Sequence, residues 1–182
     1  MNVEKLTCFH FRNYETMSFS FVPKCIHFLY GKNAQGKTNI IESIYMCAFG
    51  KSYRTTKDLE VLKFNEEFCR INLTYKKKNI ESQIEVYIDK NNKKQLKKDG
   101  VKITRLSNHV GEIPLVIFSP DSLNIVKGAP SKRRTFIDMM CSQLSKSYLI
   151  NLQEYNKCLK IKNTLLKNEN IDKDYIYVLH EK

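Results

Sequence analysis

The strongest chemical signal in this chain is the run Gly31-Lys32-Asn33-Ala34-Gln35-Gly36-Lys37-Thr38, which satisfies GxxxxGK[ST]. Gly31 and Gly36 let the backbone turn so that successive N–H groups face phosphate oxygens. A helix opening at Thr38 aims its positive N-terminal end at the same place. Lys37 adds a mobile ammonium for the β- and γ-phosphates, and the Thr38 hydroxyl is a hard oxygen ligand suited to Mg2+. A ligand-free glycine turn ahead of a helix is the bland alternative. Context disfavours it, because the motif follows an apolar run and precedes a helical pattern. Hydrolysis asks for more, namely an acid at the end of another strand to hold the metal. The candidates are Asp89, after Val86-Tyr87-Ile88, and Asp121, after Leu115-Val116-Ile117-Phe118-Ser119-Pro120. Asp89 falls at a hairpin turn, and Asp121 lies beyond its strand behind a proline. The residues argue for binding a nucleoside triphosphate and do not argue for cleaving it.

Several elements must position that loop. Residues 3–11 and 17–22 read as strands joined by the polar turn Arg12-Asn13-Tyr14-Glu15. The apolar run 25–30 reads as a buried strand entering Gly31. Residues 38–49 read as a helix with Ile40, Ile41, Ile44, Tyr45 and Ala48 on one face, and Gly50 suits the position just past its end. Residues 68–75 and 81–89 alternate polar and apolar as half-buried antiparallel strands do, with turns at Lys76–Asn79 and Asn91-Asn92. Asp99-Gly100 marks a further hairpin. Residues 114–119 read as another buried strand. From Ser131, a plausible N-cap, apolar residues recur at helical spacing. A second helix over about 147–167 is either a helix pair with the first or the base of a coiled coil.

Composition sets the outer limits. The chain has 182 residues, enough for one domain or one domain and the start of another. It carries 31 Lys+Arg against 19 Asp+Glu, net +12. That balance favours an anionic partner such as nucleic acid. The accompanying excess of Asn and Ile is also what a biased coding composition would give. Nine lysines fall between 76 and 102, where a charged sheet edge resisting aggregation is the simpler reading than a DNA surface. The six cysteines form no CxxC pair and the four histidines show no ligand spacing, so a zinc site is not expected. Cys8, Cys25 and Cys47 read as small core residues in a reducing cytoplasm. The first residues lack the apolar stretch of an export signal, and no run of about 18 apolar residues exists to cross a membrane.

Five stretches in order carry a further likeness: FRNYE at 11–15, GKNAQGKTNIIESIY at 31–45, GKSYRT at 50–55, FSPDSL at 118–123 and VKGAPSKRRTFID at 126–138. In sequence and spacing the chain resembles the RecF family over nearly its whole length. These are bacterial DNA replication and repair proteins with an ABC-type ATPase head akin to the SMC proteins. The resemblance implies an α/β fold, a P-loop NTPase of ABC/SMC-head type with an antiparallel β subdomain and the start of a helical lobe. It implies a head over residues 1–125 and the beginning of the lobe over 126–182.

By the same likeness Gly31, Lys32, Asn33, Ala34, Gln35, Gly36, Lys37 and Thr38 would form the Walker A loop, with Thr38 on Mg2+. Arg12 would approach the phosphates of ATP, and Tyr53 and Arg54 would lie near the base and sugar. Partners would be DNA, double-stranded or at single-strand gaps and junctions, the RecO and RecR proteins, and a second copy in an ATP-dependent homodimer. Lys127, Lys132, Arg133 and Arg134 would be candidate DNA or phosphate contacts, a solvated helix face being the alternative. The chain departs from the pattern in two ways. The stretch VIFSPDSLNIV holds no glutamine for the family's glutamine loop. The signature, Walker B acids, D-loop and switch histidine would all come later than residue 182, so the chain is expected to be the N-terminal half of such a protein. Two other readings stand beside this one: a nucleotide-binding fragment without turnover, and another SMC-like ATPase.

Overall fold

The computed structural model of the protein describes residues 1–167, except for the side chains of Asp121 and Asn124. Two compact units divide between Leu115 and Val116.

The first unit is built on one six-stranded antiparallel sheet. Its strands are β1 (Asn2–Phe11), β2 (Tyr14–Ser20), β3 (Phe68–Lys77), β4 (Ile80–Asp89), β5 (Lys94–Lys98) and β6 (Val101–Lys102), in the order β2-β1-β3-β4-β5-β6. Local chemistry sets the hairpins. Lys78 and Asn79 both have positive φ, as do Asp99 and Gly100, which matches the twist of two-residue turns to that of the strands. The first hairpin is tighter than the sequence suggests. Phe11 pairs with Tyr14, so Arg12-Asn13 alone form the turn, with Arg12 at φ 54°.

The two-residue period decides which face is buried. Cys8, Ile71, Val86 and Leu96 form one registered row across four strands, and all four are buried. Leu6, Leu73 and Ile84 form the next, with no exposed surface. Against this face packs the helix α1 (Lys37–Phe49), which touches β3 and β4. It ends at Gly50, whose N–H donates to the Met46 carbonyl at 2.8 Å in left-handed geometry. Buried His109 braces the same end, its Nε2 donating to the Cys47 carbonyl at 2.6 Å. Burial pushes the His109 imidazole below its usual pKa, which keeps it neutral.

The predicted face of this helix is only partly the observed one. Ile40, Tyr45 and Ala48 are buried as expected, but Ile41 is 43% exposed, while Glu42, Ser43, Met46 and Cys47 are buried. The helix is enclosed on more than one side, so a single apolar stripe does not describe it. Residues 25–30 are not a strand, and Ile26, Phe28 and Tyr30 are 82–94% exposed. Residues 114–119 form none either, with Val116 and Phe118 exposed. Apolar runs state a preference for burial, whereas a strand also needs a neighbour. The antiparallel ladder of the described residues passes both segments by. Cys25 is exposed, contrary to expectation, while Cys8 and Cys47 are buried.

The second unit is helical, with α2 (Asn124–Lys127), α3 (Pro130–Leu144) and α4 (Lys146–Leu165). Helix α3 begins one residue before the expected cap. Ala129 is the cap and Pro130 opens the helix, where the missing proline N–H costs nothing. Ser145 caps α4, its Oγ accepting from the Tyr148 N–H at 3.2 Å. Tyr148 ties the pair by donating its hydroxyl to Asp138 at 2.6 Å. The side chain of Asp121 lies outside the described residues. No described helix is long and apolar enough to cross a membrane.

Candidate nucleotide site

The loop between residue 30 and α1 has the backbone of a phosphate cradle. Gly31, Ala34 and Gly36 have φ of 143°, 65° and 99°, conformations that turn consecutive N–H groups toward one side. Gly36 is the helix N-cap and supplies no side-chain acceptor, so the Lys37 and Thr38 N–H groups remain for a ligand, while that of Asn39 donates to the Gly36 carbonyl at 2.7 Å. Lys37 folds back over the loop, its Nζ donating to the Gly31 and Lys32 carbonyls at 2.6 Å each.

The Arg12-Asn13-Tyr14 turn buttresses this loop from the β1–β2 hairpin. Tyr14 donates its hydroxyl to the Gly36 carbonyl at 2.7 Å. A Cβ built on Gly36 would stand 2.5 Å from the Tyr14 hydroxyl oxygen, so any other residue forces that ring to shift and also strains the backbone at this φ. Asn13 donates to the Ala34 carbonyl at 3.1 Å and accepts from the Asn39 amide at 2.8 Å.

Arg12 reaches further, to a residue that the sequence reading missed. Glu42 of α1 has no exposed surface. Its two oxygens accept from Arg12 Nε at 3.0 Å and Nη2 at 2.6 Å. They also accept from the Ser52 hydroxyl at 2.5 Å and Arg54 Nη1 at 3.0 Å. Burial pushes the Glu42 carboxyl up, but the hydrogen bonds from Arg12 and Ser52 and the charges of both arginines outweigh it and hold the pKa below the usual carboxylate range. One carboxylate thus joins the Arg12 turn, the P-loop helix and the GKSYRT loop. The signal for it was an acid five residues after Lys37, between two motifs that each carry an arginine. No local spacing rule pairs them.

A cleft of about 580 Å3 opens over the loop, within the range of ligand pockets. Among the expected residues Arg12, Asn33, Ala34, Gly36, Lys37, Thr38 and Arg54 line it. Asn13, Asn39, Glu60, Leu62 and Phe64 line it as well, and sequence reasoning did not single them out. Gly31, Lys32 and Gln35 shape the loop without appearing in the cleft wall. Tyr53 is not in the wall either. Its ring packs edge-on to Tyr45 with centroids 5.3 Å apart, and burial, then the Glu42 charge, raises its phenol pKa.

The donor set fits the triphosphate of a nucleotide: oriented backbone N–H groups, one ammonium, two guanidinium groups and a helix N-terminus converge. For a metal, Thr38 is the hydroxyl ligand at hand, and among the described residues no group of three His, Cys, Asp or Glu gathers to form a metal site. Asp89 serves its turn instead, its Oδ1 accepting from the N–H groups of Asn91 and Lys93 at 3.0 and 2.9 Å.

Five of the nine lysines between 76 and 102 meet acids. Lys77 and Lys98 meet Glu112, Lys90 meets Glu67, Lys94 meets Asp58 and Lys97 meets Glu85. Lys127, Lys132, Arg133 and Arg134 are exposed, and Arg133 donates to the Gly128 carbonyl at 3.1 Å.

A glycine-turned phosphate loop opening a helix, packed on an antiparallel sheet, defines a P-loop ATPase domain, and the family described as AAA domain matches residues 5–181. The solved structure of the recombination mediator protein RecF-ATP in the RecFOR pathway superposes with a TM-score of 0.89 at 32% identity, over 99% of this chain and 49% of that one. An SMC ATPase structure superposes with a TM-score of 0.63 at 20% identity, over 77% of this chain and 99% of that one, a likeness of fold. The DNA replication and repair protein RecF of Lachnoclostridium phytofermentans is 42% identical over 99% of this chain and 50% of its own length. That of Lachnospira eligens is 45% identical over 92% and 46%. The chain belongs to the RecF family, and it spans about half the length of the curated relatives it matches.

Proposed function

We propose that this chain is the nucleotide-binding part of an ATP-dependent, DNA-binding protein of recombinational repair and replication. The loop Gly31–Thr38 takes the phosphates of ATP through its backbone N–H groups and Lys37. Thr38 offers its hydroxyl to Mg2+, and Arg12 approaches the phosphates from the hairpin turn. Arg54, which lines the cleft, flanks the base and sugar. ATP, when bound, supplies the polyphosphate charge that couples these groups to assembly. The whole protein then dimerises with nucleotide between two heads, engages gapped or double-stranded DNA and works with RecO and RecR proteins in the cytoplasm.

The observation that carries this reading is the convergence of Arg12, Asn13 and Tyr14 on the phosphate loop and its helix. A turn serving only to reverse a strand would not need two contacts to a glycine loop and a third to the helix behind it. The test is ATP binding and ATP-dependent DNA binding by the chain and by Lys37→Ala. Loss of a charge-assisted phosphate contact weakens ATP binding by about tenfold or more. DNA affinity indifferent both to ATP and to Lys37→Ala would sink the proposal.

A second reading, nucleotide binding without turnover, is favoured by the cleft wall. Its acidic member is Glu60, whose Oε2 accepts from the Thr55 hydroxyl at 2.6 Å. ATP hydrolysis by the purified chain, removed by Lys37→Ala, would exclude it.

A further inference from the structure

Arg12 has five N–H donors in a fixed plane. Its Nε–H and one Nη2–H go to the two oxygens of Glu42, at 3.0 and 2.6 Å, and one Nη1–H goes to the Glu60 carbonyl at 2.6 Å. One N–H then remains on each terminal nitrogen. With the Nε/Nη2 edge taken by Glu42, the end of the guanidinium between Nη1 and Nη2 is the edge whose paired N–H geometry matches two oxygens of a phosphate group once the Glu60 carbonyl is served by the outer Nη1–H. Arg12 lines the cleft with Lys37 and Thr38. Arg54, 42% exposed, shares its Nη1 between Glu42 and Asn39, at 3.0 and 2.9 Å, and lines the same wall.

We propose that Glu42 is a positioning residue of the nucleotide site: it grips the side edge of Arg12 and one nitrogen of Arg54, and so presents the free fork of Arg12 to a phosphate. This rests on the nucleotide reading above. The two guanidinium groups would repel each other at this spacing without the carboxylate between them. Full burial of Glu42 means that water does not substitute for it. An amide cannot replace it, because the NH2 of a glutamine would face a guanidinium that has only donors. Removing the negative charge also increases the attraction for an anion, but that gain is nonspecific and salt-screened, whereas a held fork is not paid for again in ordering on binding.

The test is a double-mutant cycle read in ATP affinity, in the full chain at fixed salt, with Glu42→Gln, Arg12→Lys and the pair. Wild-type titration with ATP comes first. A wild-type chain that does not bind ATP overturns the nucleotide reading and this proposal with it, whereas a binding wild type isolates Glu42. The expected result is an ATP affinity lowered about tenfold by Glu42→Gln. In the Arg12→Lys background the same change costs less than about threefold, because there is no fork left to position. A loss of equal size in both backgrounds, or no loss, overturns the proposal. A merely structural glutamate would lower the melting temperature without this coupling. Should Glu42→Gln fail to fold, nitrogen-15 NMR of the wild type decides. The Arg12 Nε–H should exchange slowly and hold its shift when ATP is added, and exchange as fast as in free arginine would overturn the proposal.

Discussion

Gly36→Ala is the substitution whose cost the structure specifies most closely. Gly36 sits at φ 99°, and an alanine Cβ there would stand 2.5 Å from the Tyr14 hydroxyl oxygen and 2.7 Å from two ring carbons. The left-handed backbone costs an L-residue about 1–2 kcal/mol. Displacing a packed ring costs about 1–3 kcal/mol. The hydrogen bond from Tyr14 to the Gly36 carbonyl, worth about 1 kcal/mol, is lost with the ring's position. The sum is about 3–6 kcal/mol, or a fall in melting temperature of about 6–24 °C for a chain of this size. Urea denaturation of Gly36→Ala, Tyr14→Ala and the double variant separates the shares. Tyr14→Ala should return the steric share, about 1–3 kcal/mol, when introduced into Gly36→Ala, and leave the conformational share in place. A Gly36→Ala chain within about 0.5 kcal/mol of wild type, the ordinary range of surface changes, would refute the reasoning. So would a double variant no more stable than Gly36→Ala.

Two other predictions concern charge. Burial pushes the Glu112 carboxyl up, but hydrogen bonds from Lys98 and Tyr75, at 2.9 and 2.7 Å, more than offset it and bring its pKa from 4.5 down to about 2. A depressed folded value means that the stabilisation is complete above pH 4.5 and is lost as pH falls toward 2. With the side chain 21% exposed, the loss is about 1–2 kcal/mol after screening. Glu112→Gln should flatten acid denaturation in that window, and an unchanged acid limb would count against the network. On the basic surfaces, charge reversal at Lys127, Lys132 or Arg134 should weaken DNA binding and lower the salt slope by about one per contact. Reversal at Lys94 or Lys97, which already meet Asp58 and Glu85, should change DNA affinity little. Equal effects at both sets would contradict the assignment.

What the sequence made legible was local. GKNAQGKT, the helix behind it and the hairpin turns at Lys78-Asn79 and Asp99-Gly100 follow from backbone chemistry over a few residues. The loop's support was harder to see, because Tyr14, Asn13 and Glu42 come together only when β1 and α1 pack. Glu42 reads as a solvated position on a helix, and nothing nearby announces that Arg12 and Arg54 will enclose it. Residues 25–30 and 114–119 failed in the opposite sense. Their apolar content was plain, but strand formation depends on a neighbour that no local pattern names.

The sheet order also bears on how the molecule folds. Four of its strand pairings, β1–β2, β3–β4, β4–β5 and β5–β6, join neighbours in the chain, while β1–β3 brings Leu6 against Leu73 across the entire phosphate loop and its helix. Closing that segment is the one entropically slow step in an otherwise sequence-local topology. The β3–β6 meander is therefore expected to acquire amide protection before α1 in a pulse-labelling experiment, and the reverse order would argue against this sequence of events. Nucleotide competence would then arrive last, as a product of the same closure that completes the hydrophobic core.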